Sequence, residues 1–375
     1  MINYGRHSIN RSDIRAVVKA LQSDFLTMGP RVEKFESDLE NIAGAPCVSL
    51  SSGTAALHCA YASLDLMPGD EIITPPITFI ATQATAINFG AKIVFADISE
   101  DTATLNPAHV ENLITNRTRA IVTVDYAGHP SNLDALRKIA DRHNLYLIED
   151  AAHAFGSTYD SKPVGSISDL TIFSFFPTKN IATGEGGAVA SIHSNLLEKV
   201  RLFARQGVVR EPNCFKNTNE GPWYNEVQSF GLNYRLSDIL CALGSSQIQR
   251  LQKFKSRRAE IFSKYTEAFA SYESLQVPTE KENVNVNWHF YPLRVPAIHR
   301  YKIFMGLRQM GINAQVNYIP VYRHPVFKKF NLKPEDYPIS ENFYSREISL
   351  PIHFELNDRD IRRVIKAVTS LIGSA

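Results

Sequence analysis

Between residues 47 and 190 the chain alternates two kinds of apolar pattern. Short unbroken runs lie at 47–50, 71–74, 93–96, 120–124, 145–149, 170–175 and 186–190. Rich in β-branched and aromatic residues, they read as strands buried on both faces. The segments between and after them space apolar residues by three and four. Residues 55–64, a stretch ending near Asn88, 132–143 and 195–205 therefore read as helices. Asn106-Pro107 marks another helix start, a cap followed by proline at the first helical position. This βα alternation predicts a mainly parallel, three-layer α/β domain.

Two amphipathic helices precede that domain. Residues 8–22 place Ile14, Val17, Val18 and Leu21 on one face, with Asn10 or Ser12 as the cap. After the Gly29-Pro30 break, Val32, Phe35 and Leu39 form the inward face of a second helix. Residues 207–230 break the pattern with Pro, Asn, Gly and Glu and with scattered Phe215, Trp223 and Tyr224. A loop of this length in a compact domain is functional, and a lid or a subunit-contact loop is expected. Long helices over 236–270 then bridge to a smaller α+β domain. Its strands are expected near 288–295 and 314–318, and its helices near 299–310 and 357–372. The division predicted is a large domain over 1–245 and a small one over 246–375.

Composition narrows the classes. The chain has 375 residues, 44% of them hydrophobic, enough for a large core. A net charge of +2, with no long basic stripe, argues against a nucleic-acid binder. The basic group Lys253, Lys255, Arg257 and Arg258 lies in a helical pattern and reads as a solvated face. No apolar run reaches the ~18 residues of a membrane span, and the start lacks the apolar core of a signal peptide. The four cysteines form no CxxC pair. They read as reduced, mostly buried thiols of a cytoplasmic protein, and no metal site is expected.

The candidate chemistry sits at two strand ends. One apolar run closes on Glu149-Asp150, and another leads through Phe176-Pro177-Thr178 to Lys179. Lys179 follows Asp150 by 29 residues, about one strand-crossover-strand unit. Both would open onto the edge of the sheet where α/β proteins bind ligands. Taken singly, an acid at a strand end is an ordinary helix cap and a lysine an ordinary solvated charge. Together they are what pyridoxal phosphate (PLP) asks of a protein, a Schiff-base lysine and an acid for the pyridinium nitrogen. The turn Ser51-Ser52-Gly53-Thr54, feeding a helix, adds an anion site. Phe79, at the mouth of the next helix, is a core residue by default and a ring-stacking residue if its neighbours hold a planar ring.

These stretches together resemble the DegT/DnrJ/EryC1/StrS family of PLP-dependent sugar aminotransferases over nearly the whole chain. The resemblance runs from Leu26-Thr27-Met28-Gly29 to Leu350-Pro351. Within the family, Asp125-Tyr126-Ala127-Gly128 and Glu149-Asp150-Ala151-Ala152-His153-Ala154 look most like the branch that makes the 4-amino precursor of pseudaminic acid. The resemblance implies an aspartate-aminotransferase-like fold (PLP fold type I) and a homodimer with shared active sites. It implies glutamate and a UDP-4-keto-6-deoxy-N-acetylhexosamine as substrates. Other nucleotide 4-ketosugars, of the perosamine or 4-amino-arabinose type, are the alternatives, as is a non-catalytic sugar-binding or regulatory member.

The resemblance also implies roles. Lys179 matches the Schiff-base lysine, which 3-dehydratase relatives replace with His. Asp150 matches the acid that keeps the pyridine nitrogen protonated, and His153 the position against the ring hydroxyl. Phe79 matches the stacking aromatic. Gly53, Thr54 and Ser174 match phosphate contacts, and Asn233 a phosphate contact from the partner subunit. Glu185-Gly186-Gly187 matches a glycine-rich turn. Thr27, Tyr318 and His324 lie where relatives approach the sugar. Phe176 stands where relatives commonly carry His.

Overall fold

A computed structural model of the chain describes residues 1–217 and 220–373. Helix α1 (Arg11–Leu21) is capped by Asn10, whose side chain accepts from the amides of Ser12 and Asp13. Helix α2 (Pro30–Ala43) follows, then strand β1 (Cys47–Leu50) and helix α3 (Gly53–Ser63). The α/β alternation continues through β2 (Glu71–Thr74), α4 (Ala81–Ile87), β3 (Lys92–Phe95), α5 (Pro107–Asn112), β4 (Thr118–Val124), α6 (Leu133–His143) and β5 (Tyr146–Asp150). Two short strands, β6 (Thr158–Tyr159) and β7 (Lys162–Pro163), precede β8 (Leu170–Ser174), β9 (Gly187–Ala190) and α7 (Ser194–Ala204).

Seven of these strands form one sheet in the order β1-β9-β8-β5-β4-β2-β3. Pairs from β8 to β3 are parallel, whereas β9 runs antiparallel to both β8 and β1. Successive residues point to opposite faces and both faces are covered. Ile72 packs with Leu57 and Val200 under α3 and α7, while Ile73 packs with Leu136 and Ile139 under α6. On the β8–β9 side, Phe173 and Ala188 meet Phe35 and Leu39 of α2.

The 207–230 stretch carries a two-stranded ribbon of β10 (Val208–Val209) and β11 (Glu226–Val227). Helices α8 (Asp238–Ile248) and α9 (Leu251–Phe269) lead to the second lobe. There β12 (Val284–Asn285) pairs back to β6, and β13 (Tyr291–Arg294) pairs antiparallel with β14 (Glu347–Leu350). Helices α10 (Ala297–Gln309), α11 (Pro338–Arg346) and α12 (Asp358–Gly373) complete it. Its core joins Tyr265, Trp288, Leu293, Leu307, Ile348 and Val364, and also takes Ile2. The Ile2 amide donates to the Gly311 carbonyl at 2.7 Å, so the first residues pack with the second lobe.

Three expectations need correction. Residues 314–318 form no strand. Gln315 makes a single antiparallel bridge to Ser349 of β14; beyond it the Asn317 amide donates to the Glu347 carboxylate and its carbonyl accepts from Tyr126 Oη, so side chains end the ladder there, and the strand partner of β14 is β13. The apolar face of α1 is exposed, with Ile14 at 56% and Leu21 at 55%. That helix docks on α8 through buried Asp13, which accepts from Ser246 Oγ at 2.6 Å and Gln247 Nε2 at 2.8 Å and pairs with Arg250. Arg258 is not solvated but 3% exposed. Three of the four cysteines are buried, in line with the expectation of mostly buried thiols, and Cys214 is exposed.

Candidate active site

The strand register builds the site. Asp150 ends β5, opposite Val124 of β4 and Ile172 of β8. Ser174 ends β8, and a turn in which the Lys179 amide donates to the Phe176 carbonyl at 2.8 Å brings Lys179 back over the sheet edge. Val124, Asp150, Ile172, Ser174 and Lys179 all line one cavity of about 440 Å³. This is the carboxyl-end edge where the chain topology predicts a ligand.

Asp150 is 5% exposed. Its Oδ2 accepts from Thr82 Oγ1 at 2.7 Å and its Oδ1 from the Ala152 amide at 3.2 Å. Burial raises its carboxyl above the usual range, against those donors and the nearby Lys179. Lys179 is held down to about 8, because burial disfavours the ammonium more than Asp150 favours it. His153 is also buried. Its Nε2 lies 3.0 Å from Tyr318 Oη, its ring stacks on His289 at 4.5 Å, and Nδ1 has no partner among the described residues. Burial first, and Lys179 second, keep its pKa well below the ordinary value, so the ring is neutral.

The other end of the cavity is an anion cradle. Ser52 caps α3 by accepting from the Ala55 amide, while Gly53 and Thr54 line the cavity from the first turn. Helix geometry gives their amides no intrahelical acceptor. The backbone here is tight. A Cβ on Gly53 would sit 2.9 Å from Ser174 Cβ, and one on Gly187 would sit 2.5 Å from the Ser52 carbonyl. Gly187 is thus needed for the close passage of β9 under the cradle. Phe79 is 57% exposed and lines the cavity, so it is no core residue.

The set fits PLP. It offers an anion cradle for the phosphate, a buried acid opposite, an aromatic face, a neutral imidazole with a free nitrogen, and one amine of lowered pKa. Of the residues singled out in the sequence, Gly53, Thr54, Phe79, Asp150, His153, Ser174, Lys179, Phe176, Glu185 and Tyr318 line this cavity. Thr27, Asn233 and His324 do not. Thr27 and Asn233 are exposed, bridged to Ser237 and Arg205 respectively. The sequence reading missed Thr82, Tyr4, His289 and Asn317, which also line the cavity. Thr82 carried a signal, one helical turn beyond Phe79 on the same face. Asn317 neighbours Tyr318 in the stretch that resembles a sugar-approach segment, whereas Tyr4 and His289 arrive by long-range packing and carried no signal.

A family model for DegT/DnrJ/EryC1/StrS aminotransferases matches residues 7–369. The chain is 37% identical to the UDP-4-amino-4,6-dideoxy-N-acetyl-β-L-altrosamine transaminase of Campylobacter jejuni, over 99% of this chain and 98% of that one. Helicobacter pylori PseC, an aminotransferase of pseudaminic acid biosynthesis, superposes with a TM-score of 0.94 at 32% identity, covering 100% of both chains. The PLP form of a sugar aminotransferase from Streptococcus pneumoniae superposes with a TM-score of 0.93 at 27% identity, covering 100% of this chain and 99% of that one. Fold, family and structural likeness define a fold-type-I, PLP-dependent aminotransferase. The chain belongs to the DegT/DnrJ/EryC1/StrS aminotransferase family.

Proposed function

We propose that the chain transfers an amino group from glutamate to C4 of a UDP-4-keto-6-deoxy-N-acetylhexosamine, giving the 4-amino precursor of pseudaminic acid. One observation carries the reading: Asp150 and Lys179 meet in one cavity from neighbouring strands. The likeness to the Campylobacter and Helicobacter enzymes supports the choice of sugar.

Bound here, PLP supplies an electron-withdrawing ring that takes up and releases the amino group. Lys179 holds the cofactor and then serves as the base and acid. Burial lowers the free amine to about 8, so it gives up its proton more readily near neutral pH than an ordinary lysine does. Nζ takes a proton from the donor carbon and returns it on the far side of the transfer. Asp150 keeps the ring nitrogen protonated, and the cation opposite it restores the ionisation that burial resists. Gly53, Thr54 and Ser174 would hold the phosphate, Phe79 would cover the ring, and His153 would take the ring hydroxyl. Of the two positions expected near the sugar, Tyr318 lines the cavity and would face it, whereas His324 lies outside that lining.

Thr27 and Asn233 reach a cavity only in a homodimer. The chain exposes Ile14, Val18, Leu21, Phe25, Leu26, Met28, Phe230 and Leu232, large apolar residues flanking both positions. So many exposed large apolar side chains near the two positions support a subunit interface there. Free cysteines and the absence, among the described residues, of a helix long and apolar enough to cross a membrane are consistent with a cytoplasmic setting.

The test is incubation with PLP, glutamate and a panel of nucleotide 4-ketosugars, read by mass spectrometry. Amination of the UDP-N-acetylhexosamine supports the proposal. Amination of a perosamine-type or 4-amino-arabinose-type precursor alone replaces the sugar, and no amination of any sugar defeats the catalytic reading.

A further inference from the structure

Arg258 lies on α9 and is 3% exposed. Among the described residues it pairs with no carboxylate. Its Nη1 donates to the carbonyls of Trp288 at 3.0 Å, His289 at 3.2 Å and Ile352 at 3.1 Å, and its Nη2 donates to the Lys179 carbonyl at 3.2 Å. Nε has no partner. Burial lowers this guanidinium to about 10, with Tyr4 opposing.

Burying an ion without a counter-ion is unfavourable. A neutral side chain would fill the space at lower cost, so packing does not explain an arginine here. What the guanidinium alone offers is a rigid planar fork with donors in fixed directions. The fork ties three segments from different parts of the chain: the Lys179 turn, the 288–289 segment, and the segment after β14. The 288–289 segment delivers His289 to the cavity, where it stacks on His153. A second tie reinforces the same turn, since Asn180 Nδ2 donates to the Asn287 carbonyl at 2.8 Å. The sheet presents Lys179, but its backbone is fastened to the second lobe.

We propose that Arg258 is a positioning residue for Lys179, fixing the lysine's main chain against the second lobe so that the amine stays at the reacting position. The role rests on Lys179 being the catalytic lysine. Misplacement of a reacting group by about 1 Å costs on the order of 100-fold in rate. A loosened turn also admits water to Nζ, and hydration returns a depressed lysine towards its ordinary pKa.

The competing role is a plain structural staple, for which the protein holds an internal control. Arg294 is also 3% exposed and also donates to a carbonyl, that of Glu100 at 2.6 Å, but it lies outside the cavity lining. The experiment compares Arg258→Lys and Arg258→Gln with Arg294→Lys in the full chain. Three quantities are read: Tm, kcat and KM for the glutamate half-reaction, and the pH profile of Lys179 acylation in the cofactor-free protein, mapped by peptide mass spectrometry. Arg258→Gln removes the buried charge and keeps an amide donor, so it stands in should Arg258→Lys not fold.

The expected result is a kcat lower by about 10- to 100-fold in the Arg258 variants, with KM for glutamate within about threefold. The acylation midpoint should rise from about 8 towards the ordinary lysine value. Arg294→Lys should lose Tm alone. Arg258 variants that lose Tm but keep the wild-type kcat and acylation midpoint would overturn the proposal. Turnover retained by Lys179→Ala would instead remove the lysine assignment beneath it.

Discussion

Replacing Thr82 with Val probes the acid at the floor of the site without touching the acid itself. Thr82 is fully buried, and its hydroxyl donates to Asp150 Oδ2 at 2.7 Å. A hydrogen bond to a charged acceptor contributes about 1.5–3 kcal/mol, and one between neutral groups about 0.5–1.5 kcal/mol. Losing it should therefore destabilise the cofactor-free protein more when Asp150 is ionised than when it is protonated. The difference is about 1–2 kcal/mol, or roughly one pKa unit. The sign follows from burial. Asp150 is raised in the folded protein, so the stability it contributes at low pH is lost as pH rises through its folded pKa. Thr82→Val raises that pKa further and deepens the loss on the alkaline side. The assay is urea unfolding of cofactor-free protein at fixed concentration, from about pH 4 to about pH 9, for wild type, Thr82→Val and Thr82→Ser. Thr82→Ser keeps the donor and should stay close to wild type across the range. A loss in Thr82→Val of equal size at every pH would mean that the hydroxyl packs rather than supports the carboxylate.

Three further outcomes are expected. Lys179→Ala should abolish steady-state turnover while leaving the fold intact by circular dichroism; residual turnover above about one thousandth of wild type would contradict its role. Gly187→Ala places a Cβ 2.5 Å from the Ser52 carbonyl and should weaken PLP binding at least tenfold, a change of about 1.4 kcal/mol, measured by fluorescence titration. Glu347 is buried behind Asn317, and burial raises it to about 8 against the Ser349 and Asn317 hydrogen bonds. A raised folded pKa means stability that declines as pH climbs from the ordinary carboxylate range towards about 8. Glu347→Gln should flatten that decline in denaturation curves; an unchanged slope would show that Glu347 is not the group titrating.

Much of the catalytic edge was legible because its cues are local. Apolar runs end at Asp150 and Ser174, and a run buried on both faces has few readings other than a central strand. The cap at Asn106 and the cradle at Ser52-Gly53 follow from side-chain chemistry within four residues. Strand direction was not legible. Nothing in Gly187–Ala190 says that it runs antiparallel, since pairing is set by where the chain returns. Periodicity placed the stripe on α1, but it could not say whether that face is covered, and Ile14, Val18 and Leu21 are exposed. Arg258 shows the same limit from the other side. It sits beside Lys253, Lys255 and Arg257 in a pattern that reads as solvated, and only the folded carbonyls of distant segments reveal it as internal. Tyr4 and His289 reach the cavity by the same long-range route.

The most direct measurement is the visible spectrum of the purified protein with PLP, followed through addition of glutamate and then of UDP-4-keto-6-deoxy-N-acetylhexosamine, with mass spectrometry of the sugar. The account predicts a yellow band that bleaches with glutamate, returns with the ketosugar, and leaves a UDP-linked 4-amino sugar. A band that ignores glutamate, or one that bleaches but is restored by no UDP-4-ketosugar, would contradict it.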